Sequence, residues 1–176
     1  MKKGFTLVEA LVAISILIIG ILSAFILVSR SLYTFPLIQD RLTASFLVQE
    51  GIELVRNIRD SNFIKKAKGE NISWDSNLSY KCYTIEPAIS LNNSSSNNIS
   101  LNETNCECKK STLLKFDDSR NFYNYQDGEE TNFRRVIQIE KISNNEIKVT
   151  STVCFKTKNI DFTVSAEDHL FNWFNF

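Results

Sequence analysis

Few residues in this 176-residue chain have the type and spacing to do chemistry, and Glu9 is foremost among them. It is a carboxylate at the head of a run, Ala10 to Val28, that holds no charged residue. A carboxylate in hydrocarbon is costly unless a partner meets it, so its position marks a working part. Four cysteines, Cys82, Cys106, Cys108 and Cys154, all lie beyond that run. Cys106 and Cys108 stand as C-x-C, closer than the C-x2-C of a zinc knuckle, and with one histidine in the chain a zinc site would draw on all four cysteines. Disulfides from Cys82 or Cys154 to the Cys106/Cys108 pair are the favoured reading if this region meets an oxidising compartment. Free thiols are the other reading, and sequence alone does not choose among the pairings four cysteines allow. His169 has acidic neighbours, Glu167 and Asp168, and is expected simply to be solvated. No Gly-rich phosphate loop, nucleophile elbow or helical His-x3-His pair occurs, so no enzyme activity, cofactor or metal is expected.

The elements that must position these groups begin with the apolar run. Its length matches the roughly 20 apolar residues a helix needs to cross a hydrocarbon core of about 30 Å. Lys2 and Lys3 precede it and only Arg30 follows closely. The positive-inside bias therefore keeps the extreme N-terminus cytoplasmic and places the bulk of the chain outside the cytoplasm. A cleaved secretory signal would have an apolar region of only about 7–15 residues and a small-x-small site after it, and no clear Ala-x-Ala follows here. A plain uncleaved anchor accounts for the lysines and the run but leaves Gly4 and Glu9 unexplained. Glu9 does not prevent insertion. A central charge costs about 2.5–3.5 kcal/mol, less near the edge, and Leu, Ile, Phe and Val at about −0.3 to −0.6 each offset it. Lys+Arg and Asp+Glu are both 20, so the charge balance gives no support to a nucleic-acid partner.

Lys3-Gly4-Phe5-Thr6-Leu7-Val8-Glu9 resembles the type III signal of type IV pilins and type II secretion pseudopilins. The resemblance implies cleavage after Gly4 by a membrane-embedded prepilin peptidase/N-methyltransferase and N-methylation of the new terminal Phe5. Glu9 would then be the fifth residue of the mature chain, counting from Phe5, the position whose carboxylate this family uses in filament assembly. The chemistry is coherent. The α-amino group of Phe5, with an ordinary pKa near 8, stays mostly charged. Opposite charges attract far more strongly at low dielectric than in water, so the Phe5 amine of a neighbouring subunit is a fitting partner for Glu9.

The resemblance further implies a minor pilin or pseudopilin, a structural subunit of a type IV pilus or type II secretion pseudopilus. Its partners would be other pilin subunits and an inner-membrane assembly platform. Its location would be the inner membrane, N-terminus cytoplasmic and head extracytoplasmic, and then the filament. Gln49 to Phe63 and the run Glu167 to Trp173 also resemble PilV-like minor pilins. The rival from another class is a membrane-anchored extracytoplasmic binding protein that never polymerises.

Beyond the span, Pro36 predicts a kink. Ile38, Leu42, Ser45, Val48, Ile52 and Val55 recur at steps of three and four, the stripe of an amphipathic helix ending near Arg59. Glu50, Glu53, Arg56 and Arg59 fall on its remaining surface. Gly51 inside the stripe costs about 1 kcal/mol relative to Ala, which points to a close approach. Residues 61–112 read mostly as loop, with Lys65, Lys66 and Lys68 in a solvated turn and one strand near Tyr80 to Ile85. Leu91 to Thr104 is Asn/Ser-rich and has little to bury. Its sequons at Asn93, Asn98 and Asn102 read as products of composition. Asn132 to Ile142, Ile147 to Lys156 and a shorter strand through Ile160, Phe162 and Val164 predict an antiparallel meander. Ser165 and Asp168 resemble a helix-starting capping box, and Leu170, Phe171, Trp173, Phe174 and Phe176 follow, either completing the core or forming a docking surface. The fold class is therefore α+β, a pilin-like long N-terminal helix on a small C-terminal antiparallel sheet. Its divisions are leader 1–4, transmembrane and assembly half-helix 5–28, amphipathic half-helix 29–60, variable loop region with a short strand 61–130, and sheet with aromatic tail 131–176.

Overall fold

A computed structural model describes residues 6–86 and 99–174. Among the described residues one α-helix, α1 (Leu7–Ala67), precedes seven strands: β1 (Cys82–Glu86), β2 (Ser100–Glu103), β3 (Leu113–Asp117), β4 (Phe122–Asn124), β5 (Glu129–Ser143), β6 (Glu146–Thr157) and β7 (Ile160–Phe171). The chain is α+β and its sheet is antiparallel throughout, consistent with the pilin fold. It divides into two compact units, Met1–Gln39 and Asp40–Phe176.

In the first unit no described residue is buried. The large apolar side chains from Leu7 to Phe35 are all more than half exposed. Three hydroxyls on this stretch fold back onto the helix: Ser15 donates to Leu11 O, Ser23 to Ile19 O and Thr34 to Arg30 O. A helix that satisfies its own hydroxyls and backbone groups while turning apolar side chains outward is the form a chain takes in lipid. It is also the one helix among the described residues long and apolar enough to cross a membrane. Pro36 lies within α1 and does not terminate it.

In the second unit, residues 40–67 of α1 lie on one face of the sheet. The buried positions are Ala44, Leu47, Val48, Gly51, Ile52, Val55, Ile58, Asn62 and Phe63. This corrects the expected stripe. Val48, Ile52 and Val55 belong to it, but Leu42 is 57% exposed, as is Ile38 at 60%. The buried row is set by contact with the sheet, and Ala44 and Leu47 fit that contact where Leu42 points away. The helix also runs beyond Arg59 to Ala67, so Lys65 and Lys66 form its basic last turn, where cations offset the helix dipole.

β5 organises the sheet. β6 pairs along one edge, from Phe133↔Phe155 to Ser143↔Glu146. The other edge is shared, with β1 at Ile137 and Gln138 and β3 between Glu129 and Arg134. Phe133, Arg135, Ile137 and Ile139 alternate toward the helix and are all buried, as are Ile147, Val149, Ser151, Val153 and Phe155 on β6. The expected meander β5–β6–β7 is present, closed by the two-residue turns 144–145 and 158–159. Lys158 and Asn159 both take positive φ, 51° and 67°, the conformation that two-residue hairpins favour. β7 is a full 12-residue strand, not a short one. Ser165 and Asp168 pair with Thr152 and Val149 of β6, so the helix-start signal is overridden by the sheet ladder. β2, β3 and β4 were not legible, because at three to five residues they are too short to show a period, and β2 is also polar.

Gly51 shows why the stripe contains a glycine. A Cβ there would stand 2.5 Å from Ile137 Cδ1 and 2.6 Å from Ser151 Oγ, so the helix can approach β5 and β6 this closely only without one. Beside it Arg135 is fully buried. Its guanidinium donates to Leu47 O (3.1 Å), Glu50 Oε2 (2.7 Å) and Ile85 O (2.6 Å), tying α1, β5 and β1 together. Glu50 is therefore half of an ion pair rather than free surface.

Candidate functional site

The processing residues Lys3, Gly4 and Phe5 lie outside the described residues. Glu9 lies within them, in the first turn of α1, and is exposed. Thr6 precedes the helix. Its hydroxyl accepts from Glu9 N (3.3 Å) and its carbonyl from Ala10 N (3.2 Å). Thr6 and Glu9 thus stand as N-cap and N3, the spacing of a capping box, in which the hydroxyl satisfies a free helix donor. This reading was available from Thr6-x-x-Glu9 in the sequence and was missed there. A carboxylate at this position is also favoured by the helix dipole. Among the described residues the carboxylate of Glu9 has no partner. The arrangement presents a carboxylate on an otherwise apolar stretch of helix surface.

The four cysteines form two disulfides, Cys82–Cys106 and Cys108–Cys154. The register places both on the sheet face opposite the helix, since Cys82 stands opposite Gln138 and Cys154 opposite Arg134, while the neighbouring Ile137 and Arg135 face the helix. The C-x-C spacing splits one cysteine to β1 and the other to β6. Starting at the second of them, a single 3-10 turn, Cys108–Lys110, is held over β5 and β6.

The aromatic tail divides between the two roles open to it. Leu170 is buried, and Phe174 packs against the core beside Phe63, ring centroids 5.3 Å apart. Trp173 stacks edge-on against Phe63 at 5.1 Å yet remains 65% exposed. Phe176 lies outside the described residues. His169 is on β7, with Nδ1 2.6 Å from Glu146 Oε1. Asn93 and Asn98 are outside the described residues, and Asn102 is exposed on β2.

Residues 1–25 match a family model described as the prokaryotic N-terminal methylation motif, the prepilin-type signal of type IV pilins and pseudopilins. No curated protein and no solved structure matches the chain significantly.

Proposed function

We propose that this chain is a minor pilin or pseudopilin, a structural subunit whose N-terminal helix is first a membrane anchor and then an assembly element. The observation that carries this is the methylation motif over residues 1–25 at the head of an outward-facing apolar stretch, residues 7–39 of α1, whose one carboxylate is Glu9. The peptidase that reads such a signal would cut after Gly4 and methylate Phe5. The α-amino cation of Phe5 in one subunit would then meet Glu9 of the next, because in hydrocarbon each charge lowers the cost of burying the other. That pairing would set the axial register between subunits. The inner membrane would hold the subunit, N-terminus cytoplasmic, until an assembly platform draws it into a pilus or pseudopilus.

Intact-mass and N-terminal analysis of the protein from a producing cell tests the processing. A chain that begins with methylated Phe5 is the expected result, and a retained Met1 would overturn it. Filament incorporation of Glu9→Gln and Glu9→Val tests the pairing. Both should be processed normally yet enter filaments poorly. Normal incorporation of either would show that Glu9 does not act through its charge. Processing without any filament would select the anchored, non-polymerising alternative.

A further inference from the structure

The sheet face opposite the helix holds a groove of about 480 Å³, within the range of about 300–1,000 Å³ usual for small-ligand pockets. Its floor is the outer row of β5, β6 and β7, and its wall is the Cys108–Lys110 turn. The Cys108–Cys154 disulfide ties wall to floor, and Cys108 Sγ lies 3.5 Å from Arg134 O. Four charged residues line the groove: Lys109, Arg134, Lys156 and Asp161. Lys156 stands opposite Asp161 in the ladder, and Lys109 reaches across β6 to place Nζ 2.7 Å from Asp161 Oδ2. The carboxyl of Asp161 is held below its ordinary range by that hydrogen bond first, and further by the charges of Lys109 and Lys156. One carboxylate thus faces three cations, which leaves the groove with two positive charges in excess.

We infer that this groove binds a small ligand through an oxyanion, carboxylate or phosphate, gripped between Arg134 and Lys156. Arg134 supplies direction as well as charge. Its Nη1 donates to Ser111 O, which fixes the guanidinium. Among the described residues its Nε and Nη2 have no acceptor. Those two N–H groups form the guanidinium edge that meets two oxygens of one oxyanion side by side. Lys156 lies diagonally across the β5–β6 ladder, two residues beyond Cys154, the partner of Arg134. Diagonal neighbours are about 7–8 Å apart, so both long side chains reach one group held between them. Asn132 Nδ2 donates to Lys156 O and sets a neutral amide beside the two cations. The inference concerns the head alone and does not depend on Glu9 or on filament assembly.

The test uses the full chain in neutral detergent micelles, disulfides intact, and three probes that share one ring: glucose, glucuronate and glucose 6-phosphate. Binding is read by ligand-observed NMR titration at low and high salt. At least one anion should bind in the millimolar range and glucose should not, and salt should weaken the binding. The tighter anion identifies the group as carboxylate or phosphate. Arg134→Gln and Lys156→Gln should each lose at least roughly fivefold in affinity. Lys110→Gln is the control, since Lys110 pairs with Glu107 outside the groove, and it should bind as the parent does. Asp161→Asn removes the one repelling carboxylate and should tighten binding at least roughly twofold. Lys156 and Asp161 are exposed, so neither substitution disturbs the core. Absence of anion binding in the millimolar range, or glucose binding as tight as that of the anions, would overturn the inference. So would a loss from Lys110→Gln equal to that from Lys156→Gln, or no gain from Asp161→Asn.

Discussion

The Glu50–Arg135 pair is expected to couple the helix to the sheet, and a double-mutant cycle measures it. Glu50→Gln leaves the guanidinium buried without its carboxylate. Removing one partner of a fully buried pair costs about 3–5 kcal/mol. Here the Glu50 side chain is 36% exposed, so water already screens it and the cost falls to about 1–2 kcal/mol. Arg135→Met removes the buried charge at similar volume and releases Glu50 to water. Leu47 O still accepts within its own helix, so Ile85 O is the main group deprived of a donor, about 1–3 kcal/mol. In the Arg135→Met background, Glu50→Gln should then cost close to nothing. The assay is urea unfolding of the full chain in micelles, disulfides intact, followed by the fluorescence of buried Trp74. With m of about 2 kcal/mol/M, Glu50→Gln should lower the midpoint by about 0.5–1 M. An equal loss from Glu50→Gln in both backgrounds would refute the coupling and leave Arg135 as a carbonyl clamp only.

Three further outcomes follow from the geometry. Gly128 takes φ of 107°, and a Cβ there would lie 2.2 Å from Phe116 O, so Gly128→Ala should destabilise by at least about 2 kcal/mol in the same assay. Alkylation before reduction should modify no cysteine and after reduction all four, and reduction should cost roughly 3.5–4 kcal/mol per bridge from the loops of 24 and 46 residues. The carboxyl of Asp117, hydrogen-bonded by the Ser119 hydroxyl and by Arg120, is held down at about 2 from its ordinary 3.8. A depressed carboxylate contributes stability that is present above pH 4 and lost as pH falls toward 2, so Asp117→Asn should flatten acid unfolding across that window.

The large periodic elements were legible because each has one dominant environment. The apolar run faces a single medium, and β5 and β6 alternate cleanly between helix and outer face. Where two signals competed, the sequence was read less well. Ser165 and Asp168 offer a helix start, yet their neighbours Val164 and Leu170 reward a strand only once β6 is beside them. Leu42 fits a spacing of three and four, but spacing cannot say which side of a helix meets a sheet not yet formed. Arg135 alternates in step with Ile137 and Ile139, a pattern that puts it on the helix face. Nothing local announced that its charge would be met by Glu50, 85 residues away in sequence. For the candidate site the residue types were readable at once, and so was the Thr6-x-x-Glu9 spacing, which the helix boundary at Leu7 turns into an N-cap and N3 pair.

The two faces of the sheet are stabilised by different means, and this explains the placement of the cysteines. The helix face has a continuous apolar core, from Val55 through Ile137 and Val149 to Leu170, in which each fully buried side chain contributes about 1.5–3 kcal/mol. Among the described residues the opposite face has no α-helix. Its row is Arg134, Val136, Gln138 on β5 and Thr150, Thr152, Cys154 on β6, mostly polar, with Val136 and the disulfide-bonded Cys154 buried in it. A polar row cannot hold a covering segment by apolar burial. The segment 104–112 nevertheless lies there, with Cys108 Sγ near Arg134 O and Thr152 O. Two covalent links, one to β1 and one to β6, hold it where packing would not. A small domain with one apolar face can in this way carry a second layer without a second core.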